Sequence, residues 1–192
     1  MKSYRESVIT HYENVWGNKF NVKNWTKGPV KNLYKDFCVL EFPPTSNRDM
    51  WTYATCCMSK IEDIAPIELH IFSNRNTEEL VELLTVIAHY HQTDKHLSLG
   101  HTVNFGRPWQ DSSASTHGLI SLPYLDGPDL ENLEYKPNKL FSLKKKFVKF
   151  YWIIPITIDE LEYKKKFGLE KLEEKFDACD FNYLNPNRVS VV

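Results

Sequence analysis

Apolar positions along the chain follow two rhythms. Tyr4, Val8, Tyr12 and Val15 recur at helical spacing, which predicts a helix over residues 3–16. Ser3 and Glu6 stand in capping-box spacing at its start, and Gly17 supplies a stop. After a turn-rich stretch around Gly28 and Pro29, the rhythm changes to strands. FCVLEF (37–42) ends at Pro43-Pro44, MWTYATCCM (50–58) follows, and IELHIF (67–72) is the third. In that third strand Ile67, Leu69 and Ile71 face one way, and Glu68 and His70 the other. A second helix is expected over 77–91, with Asn76 as its cap and Leu80, Leu84, Ile87 and His91 on one stripe. Residues 92–117 read as loop with a short extended piece at HTVNF. GLISLPYL (118–125) reads as a strand that stops at DGPD. FVKFYWIIPI (147–156) is the most hydrophobic strand and is expected at the centre of the sheet. A third helix begins after Thr157 with Glu160 completing a capping box. It breaks at Gly168 and resumes to about Phe176. The final FNYLNPNRVSVV is too apolar for a disordered tail. The fold class is α+β, a largely antiparallel or mixed sheet with helices packed on it.

Composition narrows the function. A chain of 192 residues with 42% hydrophobic and 26% charged residues is expected to form one domain with a sizeable core. Aromatics at 14% imply that large rings build much of that core. A formal net charge of -1 lacks the basic footprint of a nucleic-acid binder. No apolar run has the length of a membrane span, and the N-terminus lacks the apolar core of a secretory signal. Cys38, Cys56, Cys57 and Cys179 form no C-x-x-C pair, so a reducing cytoplasm is the expected compartment. No P-loop or dinucleotide fingerprint is present, and no cofactor is expected.

The densest chemistry lies in AHYHQTDKHLSLGHTVNFGRPW (88–109), with His117 close behind. On a helix, His89 and His91 point about 200° apart and do not share an ion. His96, His101 and His117 show no metal spacing, so no metal site is expected. His91 is expected as a packed imidazole at the helix end, and His101 as a partner for loop backbone. Asp111, His117 and the serines at 112, 113 and 115 share one polar stretch but lack a nucleophile elbow. The lysines at 144, 145, 146 and 149 read as protection of a strand edge more than as an anion site. Asp126, Asp129 and Glu131 flank a Gly-Pro turn without a calcium-loop pattern.

The order of blocks adds what no single motif gives. HYENVWG, VLEFPP, WTYATCCMS, IELHIF, IAHYH, GHTVNFGRPW, HGLISLPYLDGP, WIIPIT and YLNPNRVSVV succeed one another along nearly the whole chain. This series resembles the suppressor of fused domain family, with residues 1–192 as one such domain. The resemblance implies a binding protein and not an enzyme. The animal protein of that family has two lobes that grip a transcription-factor peptide by strand addition, and this chain resembles the N-terminal lobe alone. Bacterial single-lobe members are similar to immunity proteins of polymorphic toxin systems, which implies a cytoplasmic protein that neutralises a toxin domain. A regulatory adaptor for an extended peptide and a metal-dependent hydrolase using the histidine-rich loop are the alternatives. The family's bacterial members often carry glycine where this chain has Cys57; a cysteine is tolerated on extended backbone, so no positive φ is expected there.

A long loop on a compact domain needs a reason, so the partner surface is expected on residues 107–117 and near the strand at 50–57. Arg107 and Trp109 are the leading partner-binding candidates, with Asp111, Ser113 and Tyr53 beside them. For Trp109 the competing reading is a ring that plugs the core.

Overall fold

A computed structural model of the chain describes residues 2–28, 30–136 and 145–192. One sheet of eight strands runs through it: β1 (Asn21–Lys23), β2 (Cys38–Phe42), β3 (Trp51–Cys56), β4 (Ile67–Ser73), β5 (Thr102–Asn104), β6 (His117–Ser121), β7 (Asn132–Tyr135) and β8 (Lys146–Ile156). Their order is β1-β2-β3-β4-β8-β6-β5, with β7 also paired to β8. All pairings are antiparallel except β4 with β8. The helices are α1 (Tyr4–Trp16), α2 (Glu78–Thr93), the short α3 (Pro128–Glu131), α4 (Ile158–Phe167) and α5 (Leu169–Asp177).

The α+β reading holds, and β8 is indeed central. Its alternation divides the core. Tyr151 and Ile153 pack with Leu69, Ile71 and the α2 stripe on one face. Phe150, Trp152, Ile154 and Ile156 point to the other face, where α1 covers one half and α4, α5 and the C-terminal segment cover the rest. The expected capping boxes form at Ser3–Glu6 and Thr157–Glu160. The α2 cap is Thr77 instead of Asn76, because the Thr77 hydroxyl accepts the Glu79 N–H at 3.2 Å. On α1, Trp16 and not Val15 completes the buried stripe. The strand expected over 118–125 stops at Ser121, ahead of the turn whose Pro123 carbonyl accepts from Asp126 and Gly127. Strands β1 and β7 go beyond the sequence reading, since their short polar stretches carry no strand rhythm. Lys144 lies outside the described residues. Lys145 pairs with Glu134 at 3.0 Å, and Lys146 donates to the Asp63 carbonyl at 2.8 Å.

One sequence reading is corrected at Cys57. Its φ is +63°, so the backbone there is left-handed and not extended. A side chain in that conformation costs about 1–2 kcal/mol. The turn aims the Met58 N–H at both carboxyl oxygens of Glu68, at 3.1 Å each. Glu68 also accepts from Thr55 at 2.6 Å and from Tyr4 at 3.3 Å, which joins α1, β3 and β4 through one buried side chain.

Burial pushes the Glu68 carboxyl up to about 8, against the downward pull of its donors from Thr55, Met58 and Tyr4. Next on the same face of β4 is His70, fully buried, with neither ring nitrogen hydrogen-bonded among the described residues. Burial pushes it down to about 3, although Asp126 lies 3.9 Å away and pulls the other way. Asp126 itself is held by Arg48 at 2.5 Å and by the Trp16 indole at 2.8 Å. The Arg48 guanidinium also lies over the rings of Phe72 and Trp16. This cluster joins the α1 half of the face to the α4–α5 half.

At the far side, Arg188 fastens the C-terminal segment. It meets Glu160 through two bonds of 2.6 and 2.7 Å, donates to the Pro155 carbonyl at 2.8 Å, and lies over Phe181.

Two predictions come from this packing. Gly118 faces the Phe105 ring, and a Cβ there would stand 2.6 Å from Phe105 Cζ and 2.7 Å from Ile153 Cγ2. Gly118→Ala is therefore expected to cost about 1–3 kcal/mol in a urea titration, and an unchanged midpoint would show that Phe105 yields freely. The second concerns pH. Glu68 holds its proton in the fold, so its contribution is complete below pH 4.5 and is lost as pH rises toward about 8. His70 contributes above pH 6.5, and that contribution is lost as pH falls toward about 3. Glu68→Gln, an amide that never ionises, is expected to flatten the decline in urea midpoint between pH 4.5 and about 8. A decline as steep as in the parent protein would assign it to other groups.

Candidate protein-binding surface

The histidine-rich segment crosses the α2 face of the sheet and reaches its outer edge at β5. His91 Nε2 lies 3.1 Å from the Ser59 hydroxyl, and its Nδ1 accepts the Leu97 N–H at 2.9 Å. Burial pushes this imidazole down to about 4, and its bonds anchor the chain leaving α2. That is the packed role expected from its place on the stripe. His101 meets the Ser98 hydroxyl at 3.2 Å instead of loop backbone, and His117 meets Thr116 at 3.0 Å. Among the described residues no three histidine, cysteine, aspartate or glutamate side chains converge as metal ligands. The Asp111–His117–serine grouping does not assemble either. Asp111 pairs with Arg75 at 2.7 Å, and the Ser113 hydroxyl accepts the Ser115 N–H at 3.1 Å.

The five expected surface residues separate into two groups. Tyr53, Trp109 and Ser113 are all buried, which for Trp109 is the competing core reading. Trp109, at 3% exposure, packs in the core beneath α2. Tyr53 packs there too, and its hydroxyl accepts the Thr77 N–H at 2.8 Å at the start of α2. Ser113 closes its own turn. Arg107 and Asp111 are on the surface. Arg107 reaches Glu82 at 2.7 Å and the Glu79 carbonyl at 3.3 Å, while Asp111, with φ at +48°, holds Arg75. The first ties the loop to the opening turns of α2 and the second ties it to the connection between β4 and α2, and both leave polar atoms toward solvent.

The feature that the sequence did not disclose is the sheet edge. Among the described residues strand β5 pairs with β6 alone, in the register Thr102↔Leu119, Val103↔Gly118 and Asn104↔His117. The Ile120 N–H donates to His101, and the Phe105 N–H donates to Thr116, so positions 101 and 105 point their main chain inward. By the alternation of an antiparallel ladder, Thr102 and Asn104 turn their N–H and C=O outward. Among the described residues nothing occupies those groups. Lys164 of α4 donates to the Gly100 carbonyl and fixes the approach to this edge. Glycine at 100, with φ at +77°, lets the chain turn there beside Leu169. An open edge of this kind accepts a further strand.

Comparison with known proteins gives a consistent picture. The family profile "Suppressor of fused protein (SUFU)" matches residues 34–189. A crystal structure described as a SUFU homologue from Neisseria gonorrhoeae is similar over 98% of this chain and 97% of that one, with 32% identity and a TM-score of 0.82. A chain from the Sufu–Fu complex crystal structure is similar at 16% identity and a TM-score of 0.69, over 98% and 92% of the two chains. Drosophila Suppressor of Fused has the same fold at 17% identity and a TM-score of 0.68, over 96% of this chain and 50% of its own. Among curated proteins none matches the sequence.

Proposed function

The chain belongs to the suppressor of fused family, and on that premise we propose that it is a non-enzymatic protein-binding domain that holds an extended segment of its partner along β5. The observation that carries this reading is the open β5 edge, where Thr102 and Asn104 present unused main-chain donors and acceptors. A relative of the same fold was crystallised in a Sufu–Fu complex, which supports a protein as the ligand class. Arg107, beyond the end of β5, and Asp111 supply polar groups for the rim. Residues 1–192 act as one domain in this reading, without a cofactor.

The partner class we favour is a toxin domain neutralised in the cytoplasm, which follows from the resemblance to bacterial single-lobe members. A regulatory peptide added as a strand uses the same edge. No helix among the described residues is long and apolar enough to cross a membrane. The hydrolase alternative has no support in the geometry of the described histidines.

The test uses the full chain as bait in its native cell, with retained proteins identified by mass. Retention of a specific protein partner is expected, and a toxin partner should arrest growth unless this chain is co-expressed. Thr102→Pro removes an outward donor without touching the β6 ladder. It should weaken that partner by about 1 kcal/mol or more, roughly fivefold in Kd, at nearly unchanged melting temperature. Unchanged affinity would reject the edge, and the absence of any specific protein partner would reject the binding role. Arg107→Ala breaks one exposed and one half-buried contact, so its stability should shift by less than about 1 kcal/mol. A larger loss by thermal melting would make Arg107 a structural tie.

A further inference from the structure

A groove of about 620 Å³ opens on the α4–α5 face, away from α2. Its floor is Trp152 and Ile154 of β8. The inner side of α5 closes one wall with Phe176, and the C-terminal segment closes the other with Phe181 and Tyr183. The rings form a concave corner. Trp152 and Tyr183 meet edge to face at 5.2 Å and 88°, and Phe176 and Phe181 stack at 4.2 Å. At the lip, Tyr124 and Leu125 hold their side chains in water, Tyr124 at 57% exposure.

The charge of this groove has one sign. Glu170, Glu173, Glu174 and Asp177 line it, and among the described residues no lysine, arginine or histidine does. Their spacing puts all four within an arc of about 100° on α5. The buried Phe176 and Leu172 flank that arc on one side, and Lys171 and Lys175 flank it on the other. The Glu173 carboxylate is fixed by the Ser121 hydroxyl at 2.7 Å and the Tyr124 hydroxyl at 3.3 Å. Neighbouring cations are engaged elsewhere. Arg48 holds Asp126, Arg188 holds Glu160, and Lys175 lies over Tyr163. Lys171 meets Glu174 at 2.7 Å, but both groups are exposed and the pair is weak.

Aromatic faces beside fixed carboxylates select a cation carried on an apolar stem. The ring quadrupole attracts it, the carboxylates pair with it, and the floor takes its methylenes. A groove of this size admits a few side chains. We propose that it is a second docking site, for a basic segment of a protein partner in which arginine or lysine stands next to a large apolar residue. This inference rests on the protein-binding reading but uses a different surface from β5.

The probe is a short synthetic peptide alternating arginine and leucine, titrated onto the full chain and followed by NMR. The Trp152 indole signal is assigned with Trp152→Phe. Saturable shifts at Trp152 and along α5 are expected, with none from a matched glutamate–leucine peptide. The combined variant Glu170→Gln, Glu174→Gln, Asp177→Asn alters exposed groups alone and should weaken the basic peptide at least about tenfold. Tyr124→Ala, at the lip, provides a second variant and should weaken it too. Equal binding of the acidic peptide, shifts mapping away from the groove, or full affinity in a folded triple variant would each overturn the proposal. The two readings separate cleanly. A native partner that binds the triple variant as well as the parent rejects the groove and leaves the β5 site standing. A native partner lost with Thr102→Pro but unaffected by the α5 substitutions likewise rejects the groove alone.

Discussion

The whole architecture depends on one strand being bonded along its full length. β8 runs for eleven residues and serves three neighbours in succession. Its first part pairs with β7, its middle with β4 and its last part with β6. A buried strand has no water to satisfy its peptide groups, so each segment needs a ladder partner. That requirement fixes the order of the sheet. It also decides that β6, bonded to β8 on one side, carries β5 on the other and leaves an edge open.

The two faces of the sheet solve different problems. Beneath α2 the core is almost wholly apolar, and the histidine-rich loop is sealed onto it by Trp109 and His91. The other face buries a carboxyl, an imidazole and an ion pair within one patch. Glu68 is accommodated by three donors and a raised proton affinity, His70 by staying neutral, and Asp126 by Arg48 and Trp16. Such groups contribute less net energy than apolar packing, but leaving any of them without its partner is costly. They specify how α1 docks against the α3 end of the molecule. The same face carries the acid-walled groove, so its polarity extends from core to surface.

Much of this is legible in the sequence because local rules and global packing agree. The caps at Ser3 and Thr157, the α2 stripe and the alternation of β4 all follow from residue spacing. The family likeness is legible from the order of motifs. What escapes depends on distant partners. β1 and β7 are short polar strands that exist because β2 and β8 offer them an edge. Cys57 is left-handed because Glu68 needs the Met58 N–H, which no local pattern announces. Tyr53 reads as a surface group and Trp109 is left between surface and core, because a single sequence does not separate buried rings from exposed ones. Arg107 and Asp111 stand on the expected loop, while the free main chain of β5 has no side-chain signature. The α5 carboxylates are visible as a spacing, but their meaning requires the rings of the C-terminal segment opposite.

The parallel β4–β8 pairing has a further consequence, in time and not in space. Its partners lie about 80 residues apart in sequence, which makes it among the slowest contacts of the sheet to form. During synthesis β2, β3 and β4 are free to associate as a meander as soon as they emerge. Every residue of β4 is nevertheless destined for burial, and its outer edge must wait for Trp152. For that interval the ribosome carries a half-built sheet with a bare apolar rim, the kind of surface that chaperones hold. How long that rim stays bare is set by the distance from β4 to β8 along the chain, whatever the stability of the finished fold.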